Sequence, residues 1–183
     1  IRRSEPATFE RLIDGRIDAF KRERPGVSLE LRQIKVVSFE HNLRAHTALV
    51  ARDAERINLS FVEAGRKPER DDEAAINRVY AEKNGIGIGD LFEMKGRRYR
   101  VSGYVLFPDY TLSMFDNSFN IDTGLQSLVL LTDGAYDSVD ADETFRLVGI
   151  TGSDAETDTA FDTVIDTAID TAIDTKALPF VMQ

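Results

Sequence analysis

The sequence has no cysteine among its 183 residues, which excludes disulfide bonds, thiolate metal sites and a cysteine nucleophile. It also lacks any uninterrupted apolar run close to the roughly 18–20 residues that cross a bilayer. Its most apolar runs, Val101–Pro108 and Leu125–Thr132, have the length of strands. No basic segment followed by an apolar one opens the chain, so no signal peptide is predicted. The start at Ile1 and the apolar end at 178–182 are what we expect of a piece of a longer protein.

An excess of positive charge is also missing, since the formal net charge is −9. Nucleic-acid binding needs clustered lysine and arginine, so the composition argues against a nucleic-acid partner. The acidity is concentrated in one C-terminal segment, because residues 154–176 carry a net charge of −6 and the rest of the chain carries −3. The seven acidic residues of this segment are Asp154, Glu156, Asp158, Asp162, Asp166, Asp170 and Asp174.

Hydrophobic spacing predicts the elements of the first third of the chain. Apolar residues at helical spacing predict an amphipathic helix from Ser4 to about Arg24, ended by Pro25-Gly26. Alternating apolar residues predict a half-buried strand over Val27–Phe39. The segments predicted to follow are a polar loop at His41–His46, strands at Thr47–Arg52 and Ile57–Val62, and a loop at Ala64–Arg70.

A second helix is predicted from Asp71 or Asp72, either of which can cap it, to about Asn84. Gly85 then supplies the left-handed stop that helix ends favour. A β-hairpin is predicted next, around a tight connection at Lys95–Arg97. The remaining predicted segments are the hairpin strands Leu91–Met94 and Tyr99–Phe107, strands at Gln126–Leu131 and Thr144–Ile150, and a turn or short helix at Ala135–Ala141.

The last predicted element is a helix with a four-residue near-repeat, FDTV-IDTA-IDTA-IDTK, which begins at Phe161. Ser153 and Glu156 match a capping box, and apolar residues recur at the i, i+3 and i+4 positions of a helix. Helices and strands are interspersed along the chain. The sequence therefore predicts an α+β fold, with a mixed sheet, one β-hairpin and about three main helices.

Four patterns suggest ligand sites, and each has a simpler structural explanation. Gly85–Asp90 is rich in glycine, but it follows a helix and opens a strand, which is the reverse of a dinucleotide-binding turn. His41 and His46 lie five residues apart with no third histidine, so surface or loop histidines are predicted and a zinc site is not. Two oxygen-rich patterns remain, a row of aspartates in the near-repeat and a cluster without the EF-hand spacing. The row favours a solvated helix face, with a partner or cation surface as the alternative. The residues are Asp162, Asp166, Asp170 and Asp174 in the row, and Asp116, Asn117, Asn120 and Asp122 in the cluster.

No group of residues converges on an active site. No serine lies in a nucleophile-elbow setting, and no general acid–base pair can be recognised by spacing. We therefore predict no catalytic residue, no metal ligand and no cofactor. A dense apolar and aromatic cluster after the hairpin is either a loop packed over the core or a contact surface for a partner. Its candidate contact residues are Phe107, Pro108, Tyr110, Met114 and Phe115.

Three motifs in the middle of the chain are more specific than any of these patterns. Val79–Asp90 reads hydrophobic-Tyr-Ala-Glu-x-Asn-Gly-hydrophobic-x-hydrophobic-Gly-Asp, Gly96–Gly103 reads Gly-x-x-Tyr-x-Val-x-Gly, and Pro108–Tyr110 reads Pro-Asp-Tyr. In this order the motifs resemble the extracytoplasmic part of FtsX-like (MacB-type) ABC transporter permeases. The similarity covers about residues 57–120, and the near-repeat has no counterpart in it.

The resemblance implies a MacB-like periplasmic core fold and a single extracytoplasmic domain over residues 1–183. An alternative left open is that this domain has two lobes, residues 1–56 plus 125–183 and residues 57–124. The domain would lie outside the cell membrane, between the first and second transmembrane helices of a bacterial permease. There it would couple ATP-driven motion of the cytoplasmic subunits to a substrate or partner outside the membrane.

The resemblance also implies partners. They are the transmembrane helices of the same permease, a separate ATP-binding subunit that this domain does not touch, a second permease in a homodimer, and an unidentified peptide, lipoprotein or other envelope partner. Two other functions stay open from the residues alone. One is a stand-alone binding or adaptor module, and the other is a small enzyme or regulatory domain of a cytosolic protein.

Overall fold

The computed structural model describes residues 28–108 and 122–150, together with Gly15, Ile17–Ala19, Arg22 and Gly26. The helical state of residues 15, 17–19 and 22 agrees with the predicted first helix. The chain divides into two compact units, residues 1–30 with 147–183 and residues 31–146. The predicted near-repeat helix lies outside the described residues, and a single extracytoplasmic domain over residues 1–183 stays a prediction.

Eight strands and two short helices are described from residue 28 onward. The strands are β1 (Ser28–His41), β2 (Arg44–Ala51), β3 (Phe61–Gly65), β4 (Glu73–Ile76), β5 (Leu91–Met94), β6 (Arg97–Leu106), β7 (Gln126–Leu130) and β8 (Glu143–Ile150). The helices are α1 (Arg78–Asn84) and α2 (Asp133–Asp137). This composition confirms the predicted α+β class with a mixed sheet and a β-hairpin.

All eight strands belong to one sheet, in the order β3-β6-β4-β7-β2-β1-β8, with β5 also paired to β6. Strand β7 pairs parallel to β2 and antiparallel to β4, so it joins the two halves of the sheet. The β5–β6 pair is antiparallel with Met94 opposite Arg97. Its two turn residues, Lys95 and Gly96, both have positive φ angles, as a type I′ hairpin requires. The predicted hairpin is confirmed.

The unit of residues 31–146 has a hydrophobic core on each face of the sheet. Adjacent residues of one strand therefore contribute to opposite cores, as Val129 and Leu130 do. Such a two-faced sheet needs near-continuous apolar strands in its centre. The largest fully buried side chains of the first core are Tyr80, Tyr99, Tyr136, Phe92, Ile76 and Met94, and the second core contains Ile34, Leu49, Ala51, Ala75, Val105, Phe107, Leu128 and Leu130.

The prediction of one helix from Asp71 or Asp72 to Asn84 is wrong in its first half. Residues Glu73–Ile76 form strand β4, which lies between β6 and β7 with all four residues buried. Helix α1 begins only at Arg78. A strand that is buried on both faces has no alternation, so its apolar run resembles a helical stripe in the sequence.

The predicted loop at His41–His46 is also wrong. Strand β1 runs to His41 and β2 starts at Arg44, which leaves a two-residue turn of Asn42 and Leu43. Both turn residues have positive φ angles, 50° and 59°. The second turn position lacks the usual glycine, so the sequence does not indicate a hairpin here. The predicted strand at Ile57–Val62 starts later than expected, at Phe61.

Candidate functional site

The glycine-rich turn after α1 is held by bonds to its own chain. Gly85 has a φ angle of 64°, and the amide of Ile86 donates to the carbonyl of Ala81 at 2.9 Å. The predicted left-handed stop at Gly85 is therefore confirmed. The amide of Gly87 donates to Oδ2 of Asp90 at 2.7 Å, and the amide of Gly89 donates to the carbonyl of Val101 at 2.8 Å. These amides are already engaged, so the turn does not offer them to a phosphate.

An open depression of about 520 Å³ lies beside this turn. The β1–β2 hairpin, the end of α1 and the start of β5 contribute to it. Among its polar groups, Nη1 of Arg100 donates to the carbonyl of Gly89 at 2.7 Å. The lining is His41, Asn42, Asn84, Gly85, Ile86, Gly89, Asp90, Leu91 and Arg100.

His46 is buried, with only 2% of its surface exposed. Its Nδ1 lies 2.9 Å from the hydroxyl of Tyr80, within hydrogen-bonding distance. The His41 ring meets the His46 ring edge to face, with centroids 5.4 Å apart. Burial, followed by the nearby His41, lowers the pKa of His46. The expectation of surface or loop histidines is therefore wrong for His46, which serves the core as a neutral aromatic ring.

Across residues 28–108 and 122–150, no three or more His, Asp or Glu side chains come close enough to hold an ion. Of the oxygen-rich residues singled out in the sequence, only Asp122 is described, and its Oδ1 accepts a bond from the amide of Gly124 at 2.8 Å. The aspartates of the near-repeat and Asp116, Asn117 and Asn120 lie outside the described residues.

Glu73 is a buried carboxylate that sequence reasoning did not single out. Nη1 of Arg66 donates to its Oε2 at 2.8 Å, and Nη2 donates to its Oε1 at 2.6 Å. The amide of Glu69 donates to Oε2 at 3.0 Å, and Arg70 forms an ion pair at 3.1 Å. The Arg66 hydrogen bonds, followed by the Glu69 amide, lower the pKa of Glu73 to about 2. The cluster ties the loop before β4 to the centre of the sheet.

The predicted contact residues after the hairpin are only partly described. Phe107 is buried in the second core, and Pro108 is exposed. Tyr110, Met114 and Phe115 lie outside the described residues. A contact surface in this segment stays a prediction, and burial of Phe107 gives that residue a packing role. Neither helix described between residues 28 and 150 is long and apolar enough to cross a membrane.

No protein-family model and no curated protein matches the sequence. Solved structures do resemble it. The periplasmic region of MacB from Actinobacillus actinomycetemcomitans has a TM-score of 0.51 and 9% identity, over 87% of this chain and 73% of that one. The extracellular domain of the noncanonic ABC-type transporter YknZ from Gram-positive bacteria has a TM-score of 0.47 and 16% identity, over 80% and 76%. A candidate lipoprotein from Bacillus anthracis has a TM-score of 0.39 and 8% identity, over 86% and 87%.

The last two scores are below 0.5, so those structures add no weight to the assignment. The identity to MacB is low, so that likeness concerns the fold and not the activity. The motifs at Val79–Asp90 and Gly96–Gly103 begin on α1 and continue through the turn into the β5–β6 hairpin. The chain therefore has the fold of the periplasmic region of MacB, and its MacB/FtsX-like resemblance is confirmed at the level of the fold.

Proposed function

We propose that this chain is the extracytoplasmic domain of an ABC transporter permease and that it couples cytoplasmic ATP-driven motion to a substrate or partner outside the membrane. The observation that carries the proposal is the MacB fold, with a TM-score of 0.51 over 87% of the chain. The motifs at Val79–Asp90 and Gly96–Gly103 support it, because they fall on consecutive elements of that fold.

The buried polar groups of the 31–146 unit favour a mechanical role over an enzymatic one. The amine of Lys35 donates to the carbonyls of Tyr136 and Val139 at 2.9 and 2.8 Å, and burial lowers its pKa. The hydroxyl of Tyr136 donates to Oε1 of Glu143 at 2.9 Å, while Glu73 is held by Arg66. These groups bind one another and stiffen the sheet, as a domain that transmits motion as a unit requires.

The partners proposed with this function are those of a membrane transporter. They include the permease's own transmembrane helices, a separate ATP-binding subunit that this domain does not contact, and a second permease in a homodimer. The substrate or partner outside the membrane would be a peptide, a lipoprotein or another envelope partner.

The 183 residues contain no cysteine, so a single introduced cysteine can report the location of this domain in its own cells, in a complete parent protein whose cysteines outside these residues, if any, are replaced by serine. Leu59 is 50% exposed, and Ala81 is fully buried. A membrane-impermeant maleimide should label Leu59→Cys in intact cells. The matched Ala81→Cys variant should react only after denaturation. Labelling of Leu59→Cys only after cell lysis, or recovery of the parent protein in the soluble fraction, would contradict the proposal.

The coupling part is tested with the same cysteine in the purified transporter with its ATP-binding subunit. Trapping the ATP-binding subunit with ATP and vanadate should change the labelling rate of Leu59→Cys. Ala81→Cys should remain unreactive in both states, which controls for unfolding. An identical labelling rate for Leu59→Cys with and without trapping would contradict the proposed coupling role but not the proposed location.

A further inference from the structure

The apex of the β1–β2 hairpin carries a leucine where a tight turn favours glycine. Leu43 has a φ angle of 59° and is 93% exposed, so its side chain makes almost no contact with the protein. A two-residue hairpin with two positive φ angles usually has Asn-Gly, and Asn42 matches the first position. Leu43 therefore strains the backbone and exposes apolar surface with no gain in packing. Such a combination is typical of a residue retained for a contact outside its own domain.

The leucine at the apex has a second exposed leucine nearby. Asn42, its neighbour in the turn, lines the open depression together with Leu91 and Arg100. Leu91 is 55% exposed and lies opposite Arg100 in the β5–β6 pair. We refer to Leu43, Arg44, Leu91 and Arg100 as the leucine tip.

The segment that contributes Leu91 and Arg100 to the leucine tip has a charge opposite to that of the whole protein. Residues 78–100 contain six lysines and arginines and three acidic residues, a net charge of +3 in a chain of −9. Arg44, Lys95, Arg98 and Arg100 are all exposed.

Acidic residues also lie near these cations. The carboxylate of Asp90 already accepts the Gly87 amide, and Glu93 lies opposite Arg98. Glu40 precedes His41 in β1 and so points to the other face of the strand. Asp90 and Glu93 offset two of the four exposed cations, so the surroundings of the leucine tip keep a net positive charge.

We propose that the leucine tip docks on the surface of an anionic lipid bilayer. Leu43 enters the boundary between headgroups and acyl chains, and Arg44 and Arg100 contact lipid phosphates. A protein interface needs a central apolar anchor surrounded by packed neighbours that exclude water. A bilayer instead accepts a single protruding side chain flanked by cations, which is the arrangement at this hairpin. The proposal concerns lipid binding by the domain itself and holds whether or not the domain takes part in transport.

The test uses the 183-residue chain and sedimentation with two kinds of vesicle, phosphatidylcholine alone and phosphatidylcholine with phosphatidylglycerol. We expect binding to the anionic vesicles and much weaker binding to the neutral ones. Leu43→Gly should reduce binding about tenfold or more, because it removes the inserted side chain. The glycine relieves the strained φ angle, so this variant should melt no lower than the parent chain. Arg44→Gln should reduce binding about fivefold and weaken its dependence on salt.

The control is Leu59→Ala, which removes a half-exposed leucine outside the leucine tip and should leave vesicle binding unchanged. Equal binding to neutral and anionic vesicles, no binding to either, or unchanged binding by Leu43→Gly would overturn the proposal. If Leu43→Gly impairs the complete transporter while vesicle binding is unaffected, the contact is with a protein and the lipid assignment is wrong.

Discussion

Glu73 is a charged residue whose side chain is almost fully buried. Only 2% of its side chain is exposed, although it is ionised at neutral pH. A buried carboxylate is tolerated when donors satisfy its oxygens, and here Arg66, Arg70 and the Glu69 amide do so. The sequence shows the arginines and the acidic residues but not which of them meet. Only the folded loop brings Arg66 back to strand β4.

Glu73→Gln should therefore lower the free energy of unfolding by about 1–3 kcal/mol at pH 7. The folded-state pKa of about 2 lies below the ordinary value of 4.5. The carboxylate therefore stabilises the fold fully above about pH 4.5 and loses its effect as the pH falls toward 2. Urea unfolding at pH 7 and at pH 3 should show the variant's deficit shrinking in acid. The control is Glu69→Gln, whose exposed side chain should have little effect at either pH; a deficit independent of pH would contradict the assignment.

At the scale of elements, β3 and β6 approach each other more closely than ordinary strands with side chains allow. Gly65 and Gly103 face each other in the register of this pair. A Cβ on Gly103 would lie 2.5 Å from the carbonyl oxygen of Arg66 and 2.6 Å from that of Ala64. A Cβ on Gly65 would lie 2.4 Å from the carbonyl oxygen of Ser102. The clashing atoms belong to the backbone, so the clash cannot be relieved by rotating a neighbouring side chain.

Gly103→Ala should destabilise the protein by about 1–3 kcal/mol, since β3 must separate from β6 to admit the methyl group. Gly15→Ala is the contrasting variant, because Gly15 is helical with open space around it. That substitution should stabilise by up to about 1 kcal/mol. Thermal and chemical unfolding measure both. A neutral Gly103→Ala would show that the close approach of the two strands is not required.

The elements also show how much of the fold follows from the sequence. The hairpin at Lys95-Gly96 and the helix stop at Gly85 were predictable, because each uses the glycine that its geometry requires. Strand β4 was not predictable, since burial on both faces removes the alternation that identifies a strand. Helix α1 starts at Arg78 because the side chain of Asn77 accepts the amide of Leu128 at 2.8 Å, a contact between residues 51 positions apart.

The residues around the depression were also only partly predictable from the sequence. A polar segment around His41–His46 predicts a loop, and nothing in its composition shows that His46 lies under Tyr80 or that Leu43 is exposed. The one local signal was Asn42, which tolerates a positive φ angle and is common in tight turns. Which residues line the depression depends on the order of the strands in the sheet. The local spacing of residues in the sequence does not specify that order.

At the scale of the whole molecule, the two-faced sheet predicts that both faces are equally important for stability. Leu130 and Leu131 are adjacent and almost fully buried, yet they belong to opposite cores. Leu130→Ala and Leu131→Ala should each lower the free energy of unfolding by about 2–5 kcal/mol. The half-exposed Leu59 provides the control, and Leu59→Ala should cost less than about 1 kcal/mol. If one of the two core variants behaves like Leu59→Ala in urea unfolding, then that face of the sheet does not contribute a core.

The position of β7 between β4 and β2 has a consequence for the order in which the protein folds. Thr47 pairs with Gln126 and Ile76 pairs with Val129. The two halves of the sheet therefore cannot join until β7, which is synthesised much later, is available. Until residues 126–130 are available, β2 and β4 each have an open edge toward the centre. Contacts this distant in sequence fold slowly, because a long loop must close before any pairing forms. The nascent chain therefore has to be kept from aggregating through its unpaired central strands until β7 arrives.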